Sequence, residues 1–440
     1  MKWLGRVLTV VLVTSVAGAH WFVGELGTEL AVPERTAQQV SVAPLPLTVF
    51  CPGAFVEVAG ASGVDLGEVD RIGEARIYSY TSSPNLIQEA PELSQMGVKA
   101  VAQETEQSTN LLSLMQVQAI DRERAGGLAA SYCAKPSVSG WLINGSSVVG
   151  AESVLIAGNP SAVEALVEIE IHLPGRVVTD RFALAPAEEK LIPTASYANG
   201  EEVFAVFYQS AGPAISMAMQ NRETRGLTPT GIELENPVSS PNTEFVFAGL
   251  RPLDLGFDNP VMRIYNPGIA VSEVVVTAFG AENVELFRAN VNPGDFGEIE
   301  LIITGEYQLV TLASSEPVIA GIKNPSLEPI LDFAWLMPAE LFTKVSLPLA
   351  GSGNTLVIAN PLSTALEASI EVRNGDSSSF QNIVVPPFQQ SAFAVSGTSV
   401  SVTGSAEFAV ALEILRASGY SVVHPTESKN LGNDLSIFVR

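Results

Sequence analysis

The sequence is poor in the residues from which most catalytic and nucleic-acid-binding sites are built. Its 440 residues include only 2 cysteines and 3 histidines, and 23 basic residues stand against 47 acidic ones, giving a net charge of −24. A chain of this charge repels a phosphate backbone, so nucleic acid is disfavoured as a partner. The histidines, His20, His172 and His424, do not have the spacing of a zinc site or of a catalytic triad.

The chain also lacks the common catalytic motifs. It contains no His-Glu-x-x-His, no Gly-x-Ser-x-Gly and no glycine-rich phosphate loop. Two groups of acids, Asp254 with Asp258 and Asp65 with Glu68 and Asp70, are close enough in sequence to reach a calcium ion. Solvated loop acids are the favoured interpretation of both groups. The sequence therefore predicts no catalytic residue, no cofactor and no metal site.

One stretch occurs three times along the chain. Each copy has an apolar run that ends in an Asn-Pro pair, and a second proline follows 26 residues after the first (186−160, 293−267 and 387−361). The pairs are Asn159-Pro160, Asn266-Pro267 and Asn360-Pro361. Since proline donates no ladder hydrogen bond, each pair is predicted to end a strand in a turn. A ligand-binding loop repeated three times is the functional alternative.

A strand with one buried face is predicted after each Asn-Pro pair. Positions 7, 9 and 11 after the proline are apolar in every copy, and position 10 is Glu170, Thr277 or Glu371. This period of two is typical of a half-buried strand. Successive Asn-Pro pairs lie 107 and 94 residues apart (266−159 and 360−266). Units of that length with several short strands favour tandem immunoglobulin-like antiparallel β-sandwiches, so an all-β fold is predicted.

The repeats divide the chain into segments. A signal anchor or signal peptide is predicted over residues 1–24, a spacer over 25–45 and a β-rich N-terminal region over 46–140. Repeats are predicted at 141–221, 244–324 and 333–416, with linkers at 222–243 and 325–332 and a tail at 417–440 that ends in a strand. Within the N-terminal region, Pro91 to Gln107 is open to interpretation as a short helix or as strand.

The first 24 residues have the pattern of an export segment. Lys2 and Arg6 precede an uncharged run from Val7 to Val23. Basic residues stay on the cytoplasmic side, so the rest of the chain is predicted to lie outside. Two interpretations are open: a short membrane anchor, which is favoured, or a signal peptide cleaved after Ala19, which would release a secreted protein.

The two cysteines, Cys51 and Cys133, are predicted to form a disulfide. An exported chain with a single pair of cysteines and no Cys-x-x-Cys motif favours a structural bridge over a redox pair.

These features together resemble a known family. Cys51-Pro52-Gly53, Cys133, Trp141 and the first Asn-Pro repeat resemble an actinobacterial cell-envelope protein family that is catalogued only as a domain of unknown function. In this chain Ala54 stands where family members often carry a further proline. The resemblance implies a β-rich protein that is membrane-tethered or secreted, and it implies no catalytic residues.

Three functional hypotheses follow. The first is a non-catalytic, membrane-anchored protein with a structural or interaction role at the cell envelope, where its partner would be an envelope protein or glycan. The second is a glycan-binding module in which Trp141, Tyr265 and Trp335 stack on sugars, which requires those rings to be exposed. The third is a hydrolase with paired carboxylates within residues 54–130.

Overall fold

The computed structural model describes residues 37–41, 47–58, 69–81, 93–94, 96–102, 112–251, 259–279, 284–302, 308–326, 330–426 and 434–438. The chain divides into two compact units. One unit comprises Met1–Pro44 with Leu431–Arg440, and in it strand β1 (Ala37–Ser41) pairs antiparallel with β32 (Asp434–Phe438). The other unit, Leu45–Asn430, holds every other described element.

The larger unit consists of four consecutive groups of strands, here called the N-terminal module and modules 1 to 3. The N-terminal module contains β2 (Leu47–Cys51), β3 (Val56–Val58), β4 (Val69–Arg71), β5 (Ala75–Thr81), β6 (Leu93–Ser94), β7 (Val98–Ala102), β8 (Leu112–Asp121) and β9 (Gly126–Tyr132). Module 1 contains β10 (Ser139–Gly145), β11 (Ala151–Gly158), β12 (Ala165–Leu173), β13 (Arg176–Leu184), β14 (Glu189–Pro193), helix α1 (Ala195–Ala198), β15 (Phe204–Ala211), β16 (Ser216–Arg225) and β17 (Thr228–Glu235).

Modules 2 and 3 have seven described strands each. Module 2 contains β18 (Asn242–Leu250), β19 (Val261–Tyr265), β20 (Ser272–Phe279), β21 (Val284–Val291), β22 (Phe296–Glu300), β23 (Gln308–Pro325) and β24 (Phe333–Leu336). Module 3 contains β25 (Leu341–Pro348), β26 (Asn354–Asn360), β27 (Leu366–Asn374), β28 (Ser377–Val385), β29 (Gln389–Val395), β30 (Ser399–Arg416) and β31 (Gly419–Val423).

Modules 1, 2 and 3 share one topology. Each has an outer sheet, in the order β10-β15-β12-β13 in module 1, and an inner sheet, in the order β14-β11-β16-β17. Module 2 repeats this order as β18-β23-β20-β21 and β22-β19-β23-β24, and module 3 as β25-β30-β27-β28 and β29-β26-β30-β31. The 18-residue strands β23 and β30 cross from one sheet to the other, whereas module 1 divides the equivalent strand into β15 and β16 at Gly212-Pro213.

The N-terminal module repeats part of this topology. Its sheet β6-β5-β8-β9 matches an inner sheet, and the pair β2–β7 matches the β10–β15 pair of an outer sheet. The described part of Pro91 to Gln107 is strand and not helix, because β6 and β7 occupy it. A fourth module therefore stands where the sequence predicts only an irregular β-rich region.

The predicted alternation along the strands is present in all three repeats. In β12 the side chains of Val167, Ile169 and Ile171 are fully buried, and the intervening Glu170 is partly exposed. These residues pack with Leu155 and others from the inner sheet in one apolar cluster, so each module is a two-sheet sandwich. The all-β prediction is confirmed.

The strands that precede the Asn-Pro pairs are buried on both faces. In β11, Leu155 and Ala157 lie in the core of module 1, while Val154 and Ile156 pack against Phe55 and its neighbours in the N-terminal module. This explains why the run from Val154 to Ala157 is continuously apolar rather than alternating. The inner sheets therefore join neighbouring modules as well as closing their own.

The first and seventh strands of each repeat do not have the places that they have in the immunoglobulin pattern. In that pattern the first strand lies in the sheet of the second, and the seventh beside the sixth. Here the first strand of each repeat pairs with the sixth, as β10 does with β15, and the seventh pairs with the second, as β16 does with β11. The first and seventh strands have thus exchanged sheets.

The boundaries between modules also differ from the predicted ones. Strand β24, predicted to open the third repeat, pairs with β23 and closes module 2. Strand β17 lies inside the predicted linker 222–243, and β31 lies inside the predicted tail but pairs with β30 of module 3. In each case a segment that follows a turn or proline-rich stretch returns to its own inner sheet.

The predicted disulfide is present between Cys51 and Cys133, which are both buried. The predicted export segment 1–24 lies outside the described residues, as do residues 25–36 and 42–45 of the predicted spacer. Among the described ranges no helix is long and apolar enough to cross a membrane.

Candidate binding site at the axis of four modules

The last strands of the four modules meet at a common axis. Strands β9, β17, β24 and β31, here called the axial strands, contact one another in the cyclic order β9, β17, β24, β31 and back to β9. Each belongs to a separate inner sheet, so side chains rather than ladder hydrogen bonds hold the ring together. The four modules therefore form a closed ring.

One carboxylate binds backbone N–H groups of all four axial strands. Asp332 precedes β24 and is 4% exposed. Its Oδ2 accepts the backbone N–H of Leu128 at 2.7 Å and of Tyr420 at 2.9 Å, and its Oδ1 accepts those of Phe333 at 3.0 Å and Ile232 at 3.2 Å. Burial raises the pKa of Asp332 to about 7, although these four donors act in the opposite direction.

Three glycines make room for that side chain. A Cβ atom on Gly127, Gly231 or Gly419 would come within 2.6, 2.7 or 2.3 Å of a carboxylate oxygen of Asp332. Each glycine stands next to a residue whose N–H binds the carboxylate, and each has a positive φ, between 143° and 154°. Asp332 takes the place of the fourth glycine and fills the axis.

Two further carboxyl groups are buried along β17. Glu233 is 1% exposed, and its two oxygens lie 3.2 and 3.1 Å from the hydroxyl of Ser421, which joins β17 to β31 across the ring. Glu235 accepts the N–H groups of Ile143 and Asn144 at 2.7 and 3.1 Å. Desolvation raises the pKa of Glu233 well above its usual range and that of Glu235 to about 8. Both carboxyls are bound by hydrogen-bond donors of the protein, Glu233 by the Ser421 hydroxyl and the Leu234 N–H, and Glu235 by two backbone N–H groups.

A pocket of about 810 Å³ lies at the other ends of the axial strands. Every axial strand, or the residues that follow it, contributes to its wall, which also includes the start of β18 and the turn after β26. A site built where four modules meet has the usual position and size of a ligand pocket. The lining residues include Tyr132, Asn236, Trp335, Met337, Leu341 and His424.

The wall of the pocket combines apolar side chains with serine, threonine and asparagine side chains and two glutamates. The described lining contains four prolines and no lysine or arginine, and its only acids are the exposed Glu244 and Glu340. His424 shares a hydrogen bond of 2.9 Å between its Nε2 and the carbonyl oxygen of Ala248, and burial lowers its pKa to about 4. The imidazole is therefore neutral at neutral pH. The pocket suits a neutral or cationic ligand with apolar groups and repels anions.

The three aromatic residues considered for sugar stacking are buried. Trp141, Tyr265 and Trp335 are 8%, 2% and 6% exposed. Trp141 and Tyr265 pack in the contact between modules 1 and 2, where the Tyr265 hydroxyl lies 2.7 Å from Nδ1 of His172. The rings of Trp141 and Tyr265 form this contact between modules, and none of the three aromatic side chains presents an exposed platform to a glycan.

The Asn-Pro pairs follow one repeated hydrogen-bond pattern. Each asparagine is at most 1% exposed. Its Nδ2 donates to the carbonyl oxygens four and 25 residues later, at 2.8 and 3.0 Å for Asn159, 2.7 and 2.9 Å for Asn266, and 2.8 and 3.1 Å for Asn360. Its Oδ1 accepts the N–H two residues later at 2.9 to 3.0 Å. The asparagines connect two turns of one module and are not open to a ligand.

The second proline of each copy begins a tight turn. The residues that follow Pro186, Pro293 and Pro387 are Ala187, Gly294 and Phe388, which have φ values of 60°, 73° and 54°. A proline followed by a positive φ is typical of a type II turn. The two prolines, 26 residues apart, thus mark two turns, and the asparagine side chain of the first turn is hydrogen-bonded to the backbone beside the second.

Most of the acids considered as calcium ligands lie outside the described residues. Asp254, Asp258, Asp65 and Glu68 lie outside the described residues, and Asp70 is an exposed residue of β4. Among the described ranges no three acids, histidines or cysteines are grouped as a metal site would require. Among the described residues, the carboxyls with raised pKa values are Glu152, Glu233, Glu235 and Asp332, which lie outside the region 54–130.

The chain matches the model of DUF5719, a family of unknown function, over residues 94–379. The chain belongs to this family. The match begins within the N-terminal module and ends within module 3, so it includes three of the four axial strands and Asp332. No curated protein matches the chain.

Three solved structures are weakly similar to this DUF5719 protein. The FN1–FN3 domains of chicken CNTN1 are 9% identical, with 69% of this chain and 93% of that chain covered and a TM-score of 0.11. A tetra-tandem repeat from the extending region of a large adhesion protein is 9% identical, with 90% and 96% covered and a TM-score of 0.14. A Streptomyces avermitilis α-L-rhamnosidase complexed with L-rhamnose is 8% identical, with 86% and 55% covered and a TM-score of 0.13.

The residues at the axis were missed by sequence reasoning. The only signal in the sequence is a glycine followed by a large apolar residue at Gly127-Leu128, Gly231-Ile232 and Gly419-Tyr420. Such pairs are frequent, and nothing local connects them with an aspartate that lies 204 residues from Leu128.

Proposed function

We propose that this protein is a non-catalytic interaction protein of the cell envelope, held at the membrane by its N-terminal segment with the modules outside the cytoplasm. The observation that carries the proposal is the pocket of about 810 Å³ at the axis of a closed four-module ring. A ring fixed by buried hydrogen bonds around Asp332 holds this pocket open without a ligand, which lowers the entropic cost of binding.

Three features of the chain support an extracytoplasmic location. The disulfide between Cys51 and Cys133 is of a kind that persists in oxidising compartments. The apolar run from Val7 to Val23 follows Lys2 and Arg6, as in export segments. Only 16% of residues are charged, which leaves a surface rich in small polar side chains.

The modules themselves are best understood as diverged immunoglobulin-like sandwiches. They keep the central pairings of that pattern, second strand with fifth and third with sixth, as in β11–β14 and β12–β15. Because the seventh strand lies in the inner sheet, an eighth strand can pair with it and lie at the axis, as β17 does. Adhesive or scaffolding roles are typical of such tandem modules at cell surfaces.

Photo-crosslinking in the native envelope tests the interaction role. A photoreactive amino acid replaces Leu341, which lines the pocket and is 41% exposed, and in a matched variant it replaces Ile269, which is 99% exposed and does not line the pocket. We expect a discrete adduct from position 341 and none from position 269. Protein or glycan in that adduct identifies the partner class.

Fractionation tests the location independently. Protease added to intact spheroplasts is expected to remove a C-terminal tag from the membrane fraction, and thiol labelling is expected to require reduction of the disulfide. Protein that resists the added protease and is found with free thiols in the cytosolic fraction would contradict the proposed location. Equal photo-crosslinked adducts from positions 341 and 269 would contradict the proposed interaction role.

A further inference from the structure

Strand β28 is an exposed edge strand without charge. It forms one end of the outer sheet of module 3, pairing only with β27 in that sheet. Its nine residues, Ser377–Val385, include no Asp, Glu, Lys or Arg. Phe380 is 71% exposed and Val384 is 61% exposed. A long, uncharged edge strand with exposed apolar side chains is a template for pairing with another strand.

The equivalent edges of the other modules carry charges. Strand β13 in module 1 contains Arg176, Asp180 and Arg181. Strand β21 in module 2 contains Arg288, which is paired with Glu273 of β20 on the exposed face. Charges on an edge are the usual means by which proteins prevent strand addition. Of these three equivalent edge strands, only β28 of module 3 has no charged side chain.

The backbone of β28 offers a regular set of free hydrogen-bonding groups. Asn374 pairs with Ser377 across the two-residue turn between β27 and β28. Hydrogen-bonded and non-hydrogen-bonded pairs alternate from such a turn onward. The odd-numbered residues of β28 therefore bind β27, and Ser378, Phe380, Asn382 and Val384 direct their N–H and C=O groups away from the sheet.

We infer that β28 pairs antiparallel with β28 of a second copy of this chain, with Gln381 at the two-fold axis. Each copy carries a net charge of −24, so copies repel one another over most of their surface. The uncharged strand is a place where two copies approach without placing like charges together. A basic partner would be attracted to the acidic parts of the surface, so it would have no electrostatic reason to bind at the uncharged strand β28.

This register uses the whole strand. Ser378 lies opposite Val384 of the second copy, and Phe380 lies opposite Asn382, so the four outward residues form about eight backbone hydrogen bonds. The two Phe380 rings become diagonal neighbours, a distance that aromatic side chains reach. One strand pair buries less surface than a permanent dimer does, so the association is reversible and depends on concentration.

Cysteine crosslinking of the full chain tests the register. Since the chain has two cysteines and they are bonded to each other, an added cysteine is its only free thiol. Gln381→Cys places two thiols opposite each other in a non-hydrogen-bonded pair, about 4.5 Å apart at Cα, which a disulfide spans. Ser377→Cys places them eight residues apart along the strands, about 27 Å. Leu286→Cys tests the charged edge of module 2.

Mild oxidation is expected to convert Gln381→Cys to a covalent dimer in at least about tenfold higher yield than either control. Sedimentation of the unoxidised protein is a second measurement. Gln381→Lys puts two like charges face to face and is expected to weaken dimerisation about tenfold, whereas Leu286→Lys leaves it unchanged. Equal yields from the three cysteine variants, or a wild-type chain that is monomeric up to its solubility limit, would overturn the inference. Crosslinking to a different protein in the envelope, with no covalent homodimer, would also overturn it.

Discussion

Asn360 makes four side-chain hydrogen bonds in the repeated asparagine pattern. Its Nδ2 donates to the carbonyl oxygens of Thr364 at 2.8 Å and of Val385 and Pro386 at 3.1 Å each, and its Oδ1 accepts the N–H of Leu362 at 3.0 Å. Asn360→Asp keeps the shape of the side chain and replaces the donor with an oxygen. That oxygen would face three carbonyl oxygens inside the protein.

The expected loss of stability is large for so small a change. The two N–H groups of the amide, which share three carbonyl acceptors, are removed at about 1 kcal/mol each, and a buried carboxylate is left with the N–H of Leu362 as its only donor among these contacts. Together these effects predict a loss of about 3–5 kcal/mol at pH 7. Protonation relieves part of the repulsion, so the new carboxyl has a raised pKa in the folded state. The loss is therefore smallest at low pH and grows as the pH rises through that pKa.

Urea unfolding followed by tryptophan fluorescence at pH 5 and pH 7 measures this effect. Asn374→Asp is the matched control, because Asn374 is an exposed residue of the same module, and its change is expected to stay within about 0.5 kcal/mol. If Asn360→Asp unfolds at the same urea concentration as the control at pH 7, the asparagine pattern does not stabilise the module as argued. A pH-independent loss would refute the assigned cause.

Three further predictions concern the axis, the pocket and the disulfide. Gly231→Ala is expected to lower the free energy of unfolding by more than about 3 kcal/mol, because the new Cβ meets Asp332 and because φ is positive. Gly226→Ala, in an open turn with φ of 66°, is the control and is expected to lower it by about 1 kcal/mol. Equal urea midpoints for the two variants would contradict this prediction. Since the pKa of His424 is lowered to about 4, its stabilising effect is complete above pH 6.5 and is lost as the pH falls through 4, by up to about 3 kcal/mol, and His424→Gln is expected to flatten that acid limb in a thermal-unfolding series. Cys51→Ser removes a bridge across 82 residues and is expected to cost about 4–5 kcal/mol, a loss that reducing agent reproduces in the wild type but does not increase in the variant.

Local patterns in the sequence predicted the β fold class, and they predicted the alternating strand and the Asn-Pro turn of each repeat. Alternation around Val167, Ile169 and Ile171 indicated strands with one buried face, and those side chains are buried. Alternation depends only on neighbours along one strand, so it can be recognised without knowing what the strand packs against. The three Asn-Pro pairs likewise marked turns, because proline limits its own residue and the one before it.

The sequence was a poorer guide to where each module ends. Phe333–Leu336 follows a proline-rich stretch and was expected to begin a repeat, yet it returns to β23. Strand β17 was hidden in an expected linker for the same reason. A segment after a turn can pair backward or forward, and the choice is made by the whole sheet rather than by the segment.

The amino-acid sequence by itself determined the β class, the period of the repeat, the turns and the pairing of the only two cysteines, because each depends on chemistry within a few residues or on a count. Only the tertiary structure decided that a fourth module closes the ring, that Asp332 binds the N–H groups of four strands, and that a pocket remains at the other end of the axis. The contacts of Asp332 with β9, β17 and β31 join residues that are 88 to 204 positions apart, and no local pattern specifies such contacts.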